Sequence, residues 1–110
     1  MINAKIVNAR LGMGLRGDEV ILAVLLVAET KDKNYVIGPI TIESLNDLAK
    51  ILTIAGTSDW ESVIGSLIQI EAEGDFVTKM ANCLDDEIFT SFSKIEDEIA
   101  NLKIKDTNLE

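Results

Sequence analysis

Apolar and polar positions alternate from Ile2 to Arg10, and the chain moves to helical spacing from Glu43. Ile2 to Arg10 places Ile2, Ala4 and Ile6 on one side and Asn3, Lys5 and Val7 on the other, the period of a partly exposed first strand. Leu11 to Asp18 holds Gly12, Gly14 and Gly17 and predicts a loop, since glycine accepts the backbone angles of tight reversals. Glu19 to Thr30 is a dense run of β-branched and aliphatic residues bounded by charge, which predicts a central strand buried on both faces, with a buried helix as the rival. A polar turn over Lys31 to Asn34 leads into a third strand, Tyr35 to Ile42. Pro39 has no N–H for a ladder, so that strand is expected at an edge or with a bulge.

From Glu43 to Ala55 the residues Leu45, Leu48, Ile51, Leu52 and Ala55 form one helical stripe, and Gly56 supplies the stop. Ser58 and Glu61 have the spacing of a capping box, opening a short helical turn that Gly65 closes. Ser66 to Ala72 alternates as a fourth strand, Gly74-Asp75 turns it, and Phe76 to Met80 forms a short fifth. Asn82 to Lys105 is read as a second helix whose apolar seam, Ile88, Phe92, Ile95, Ile99 and Leu102, repeats at heptad spacing. The expected architecture is therefore α+β: an antiparallel sheet of four or five strands with two main helices, the second C-terminal. Residues 1–105 make one domain and 106–110 a flexible tail. The seam is longer than a small sheet needs, so it predicts a homo-oligomer interface as well as packing on the sheet.

Charge changes the functional picture more than it changes the fold. The 110 residues carry a net charge of −9, so clustered basic side chains for a nucleic-acid backbone are missing and duplex nucleic acid is not expected as a partner. The longest apolar stretch, Val20 to Ala28, is about half a membrane span, so no membrane partner is expected. The start of the chain reads as strand and not as an export signal, so the expected location is cytoplasmic. With no histidine and Cys83 as the one cysteine, Cys/His metal sites and histidine acid–base chemistry are excluded. No metal, cofactor or enzymatic activity is expected.

Gly12-Met13-Gly14-Leu15-Arg16-Gly17 has the letters of the G-x-G-x-x-G phosphate cradle, but the β-branched run after it lacks the helix that motif needs, which favours a hairpin loop. Arg10 and Arg16 are the only arginines, candidates for bidentate recognition of a phosphate or for ion pairs with Asp18 or Glu19. Asp85-Asp86-Glu87 and Glu96-Asp97-Glu98 lack calcium-loop spacing and read as solvated helix positions. Cys83, between Asn82 and Leu84, reads as a buried structural thiol. Trp60 reads as an anchor over the helix–strand corner.

Leu11-Gly12, Trp60-Glu61 with Gly65, Ile68-x-Ile70, and then Asn82, Leu84, Asp85 and Phe89 follow the order of motifs in a group of small phage and prophage proteins, L-G, W-E-x-L-x-G, I-x-V and N-x-L-x-D, which this chain resembles. The layout of a sheet followed by C-terminal helices is similar to phage anti-Thoeris sponge proteins, which bind cyclic ADP-ribose-type signals without cleaving them. That resemblance implies a non-enzymatic counter-defence protein that sequesters a nucleotide-derived immune signal. It also implies a homo-oligomer with pockets between chains, and ligand contacts from Arg10, Arg16, Asn82 and Phe89. The alternative expectation is an acidic protein-interaction module that blocks a host protein's basic surface.

Overall fold

The computed structural model describes residues 1–92. Their order is β1 (Ile2–Arg16), β2 (Glu19–Glu29), β3 (Asn34–Ile42), α1 (Leu45–Ala55), a 3-10 turn (Trp60–Val63), β4 (Leu67–Glu73), β5 (Phe76–Asn82) and β6 (Phe89–Ser91). The strands form one six-stranded antiparallel sheet in the order β3-β2-β1-β4-β5-β6. This corrects the expected four or five strands with two main helices: among the described residues there are six strands and one α-helix.

One face of the sheet builds the core. Ala4, Ile6, Val24, Leu26, Ala28, Ile37, Ile42, Ile68, Ile70, Val77 and Met80 are buried together with Ile51, Ile54 and Ala55 of α1 and Val63 of the 3-10 turn. Trp60 and Leu48 pack partly buried against them, while Leu45 of the expected helical stripe is exposed. Every bulge adds curvature. Val7 is the extra residue of β1 between the pairs Ile6↔Ala28 and Asn8↔Val27. Gly38-Pro39 stands against Leu25 alone on β2, and Thr78 is extra on β5. The sheet curls enough for β3 to meet β5 across the core and for Lys33, before β3, to reach Asp75 in the β4–β5 turn.

Helix α1 begins where Asp47 accepts hydrogen bonds from the N–H groups of Glu43 and Ser44 and ends at Gly56 in the left-handed conformation, φ 76°. The 3-10 turn is capped by Asp59 and not by Ser58: the Asp59 carboxylate accepts from the Ser62 N–H at 2.9 Å and from its hydroxyl at 3.1 Å. No helix among the described residues is long and apolar enough to cross a membrane.

Two segments differ from their sequence reading. The predicted loop Leu11 to Asp18 is strand as far as Arg16, and only Gly17-Asp18 turns, with Gly17 at φ 66°. Leu11, Met13 and Leu15 keep the period of two through the glycines, and pairing with β2 supplies what glycine's own propensity lacks. The predicted helix from Asn82 fails at its start, because Asn82 belongs to β5 and Phe89–Ser91 is β6. The Asn82 side chain accepts hydrogen bonds from the N–H groups of Leu84 and Asp85, and Asp85 accepts from Glu87. These Asx turns reverse the chain and compete with a helix's first turn. Ile88 and Phe92 still pack against the core from either side of β6, so their spacing of four reaches the core without a helix between them. Ile95, Ile99 and Leu102 of the proposed seam, and the tail 106–110, lie outside the described residues.

Candidate functional site: the arm and the acidic end

The four residues named as ligand contacts occupy four separate places. Arg16 ends β1, and its guanidinium lies 3.4 Å from Glu19 and 3.6 Å from Glu43. To reach Glu43, past the end of β3, Arg16 crosses β2 on the outer face, where Ile21 is buried between them. Arg16 is thus engaged in bracing the hairpin. Arg10 lies on the same outer face opposite Leu25, exposed, and has no ion-pair or hydrogen-bond partner among the described residues. Six residues of strand put the two arginines about 20 Å apart along β1.

Asn82 faces the core side of β5. Its amide donates to the carbonyls of Thr53 and Ile54 at 3.0 and 3.1 Å, while its oxygen holds the Leu84 and Asp85 N–H groups. It therefore ties the end of α1 to the loop after β5, a structural task that uses its whole hydrogen-bonding capacity. Phe89 is on the opposite face, paired with Ala81, and carries the Lys79 ammonium 4.4 Å from its ring centre. Within one chain these residues do not converge: Arg10 and Phe89 are separated by β4 and β5, and Asn82 points to the other side of the sheet.

Two features stand out instead. The first is an arm. Beyond Ile6, whose N–H donates to Ser66 and whose carbonyl accepts from Gly65, the hairpin of β1 and β2 runs out past β4. The apolar row that is core at Ile6 and Leu26 continues along it as Leu11, Met13, Val20 and Leu22, which are 43%, 80%, 63% and 36% exposed. Gly12 and Gly14 line the arm's other face, and a Cβ added at either would touch nothing within 4 Å. The G-x-G-x-x-G letters are therefore mostly strand and form no cradle.

The second feature is charge. From Ile51 to Phe92 the chain carries Asp59, Glu61, Glu71, Glu73, Asp75, Asp85, Asp86 and Glu87 against Lys79 alone. Asp59 and Glu61 on the 3-10 turn and Asp85, Asp86 and Glu87 in the loop held by Asn82 flank the C-terminal end of α1. The helix dipole is negative at that end, and the last turn holds no basic residue. The hydrogen bond between Lys33 and Asp75 lowers the Asp75 carboxyl below its ordinary range and raises Lys33 above its own, but both are open to solvent and the pair adds little stability. Cys83 is exposed, which corrects its reading as a buried thiol. Among the described residues no group of His, Cys, Asp and Glu has a metal-holding arrangement.

No protein-family model, curated protein or solved structure matches this chain.

Proposed function

We propose that this chain is a non-catalytic interaction module that docks on the basic surface of another protein through the acidic end around α1. The observation that carries the reading is the segregation of charge: a stretch of more than forty residues with one lysine, folded so that two acidic segments bracket the negative pole of the helix. Charge concentrated in this way speeds encounter with a cationic partner and rejects anionic ones. The test is quantitative capture of partner proteins from the native cell's lysate. The chain is expected to retain a basic protein that is released by raised salt, and Asp85→Asn/Asp86→Asn/Glu87→Gln is expected to lose it. Equal capture by both proteins contradicts the reading.

A second reading, sequestration of a nucleotide-derived signal, is favoured by Arg10 alone, whose guanidinium has no ion-pair partner among the described residues and lies beside the open glycine track. Calorimetry against cyclic nucleotides tests it. Binding that Arg10→Ala abolishes supports it, and no heat, or heat unchanged in the variant, removes it.

A further inference from the structure

The geometry points to a second copy of this chain as the partner of the arm, joined by antiparallel pairing of the two β1 edges about a twofold axis at Gly12. This assembly is independent of the acidic end and stands or falls apart from it. The argument starts from the backbone. Gly17-Asp18 is a two-residue turn, so Arg16 and Glu19 form the closing hydrogen-bonded pair of the hairpin. The register with β2 is unbroken from Asn8 to Arg16, so Arg16, Gly14, Gly12 and Arg10 direct their N–H and C=O groups at β2. Leu15, Met13, Leu11 and Ala9 direct theirs outward. Among the described residues no strand receives them, because β4 pairs with β1 only over Ile2–Lys5.

Natural edge strands are blunted by proline, by a bulge, by an inward charge or by shortness. From Asn8 to Arg16 this edge has no proline and no bulge, and its charges lie on the outer face. What it offers is apolar: Leu11 and Met13 stand exposed on the same residues whose backbone is free.

The edge is also complementary to itself. Antiparallel pairing centred on Gly12 sets Leu11 against Met13 of the second copy, Ala9 against Leu15, and Gly12 against Gly12. Each outward-directed residue then meets another, giving about eight backbone hydrogen bonds. On the outer face Arg10 meets Gly14 and Arg16 meets Asn8, so neither arginine faces its twin and the glycines leave room for the long side chains. Moving the axis to Met13 would oppose Arg10 to Arg16. Charge selects the site as well as the register. In a molecule of net −9, Asn8 to Arg16 carries no carboxylate, so pairing along this edge sets no acidic residue of the strand against another.

Two experiments test the pairing. In the Cys83→Ser background, Gly12→Cys places two thiols in a non-hydrogen-bonded pair with Cα atoms about 4.5 Å apart, within disulfide reach. Mild oxidation is expected to convert the protein to a covalent dimer of twice the 12.0 kDa chain mass, whereas Val20→Cys on the hairpin's other strand is expected to remain uncrosslinked. Light scattering of the full chain is expected to give a dimer. Leu11→Lys/Met13→Lys opposes like charges and is expected to give a folded monomer by circular dichroism, whereas Leu11→Lys/Met13→Glu opposes unlike charges and is expected to keep the dimer. A monomeric parent chain at micromolar concentration overturns the proposal, whether its own residues 93–110 or another protein's strand covers the edge. So do two double variants that behave alike.

Discussion

Gly38 shows how far one residue constrains the sheet. It sits at φ 110°, and a Cβ there would lie 2.8 Å from the Val24 carbonyl oxygen and 2.9 Å from the Ile40 nitrogen, both backbone atoms that cannot move aside without breaking the β2–β3 ladder. The bulge at Gly38-Pro39 restores Ile37 and Ile40 to the core side, and a side chain at Gly38 would undo it. Gly38→Ala is therefore expected to cost about 2 kcal/mol or more, which for a domain of this size lowers Tm by roughly 10 °C. Gly12→Ala, where nothing stands within 4 Å, is expected to change Tm by a few degrees at most. Thermal denaturation of the two variants checks the contrast, and similar losses would contradict it.

At the scale of elements, Asn82 joins what the sequence presents as unrelated segments. Asn82→Asp keeps the oxygen that receives the Leu84 and Asp85 N–H groups but sets a carboxylate against the Thr53 and Ile54 carbonyls at the negative end of α1. The expected cost at neutral pH is about 2–3 kcal/mol. Repulsion raises the introduced carboxyl's folded pKa, so the deficit relative to the parent chain is expected to be full above that value and to shrink as pH falls below it. Chemical denaturation at two pH values checks this, and a deficit that stays the same at both would contradict it.

The elements that were legible in the sequence are those whose period and punctuation agree: β2, β3 with its irregular centre at Pro39, α1 with its stop at Gly56, and the β4–β5 hairpin around Gly74. Two were hidden for physical reasons. In β1 the glycines mask a strand whose conformation comes from its partner, while the alternation of Leu11, Met13 and Leu15 was the available signal. After Asn82 a spacing of four between Ile88 and Phe92 fits a helix and also fits a reversal whose two ends both return to the core. Asn82 followed by Asp85 was the turn signal, and it competes on even terms with helical period. Of the candidate ligand residues, the sequence could supply side-chain chemistry but not that Arg16 would be spent on Glu43 or Asn82 on α1, since both partners are distant in the chain.

The whole molecule divides into a closed side and an open one. Curling brings β3 to β5, and α1 seals the core against them, so the fold is complete around Ile6, Leu26, Ile37 and Met80 without the distal half of the first hairpin. That half projects with apolar side chains and a backbone edge that no strand among the described residues receives, while Asp59, Glu61, Asp85, Asp86 and Glu87 flank the end of α1. In the proposed reading one pole meets a copy of itself and the other a basic partner. Exchange of individual backbone amides with deuterium, followed by NMR as protein concentration is raised, tests the edge most directly. The amides of Ala9, Leu11, Met13 and Leu15 are expected to exchange fast in dilute protein and to slow toward the rates of Arg10, Gly12, Gly14 and Arg16 as copies pair. Fast exchange at those four residues at every concentration would contradict the account.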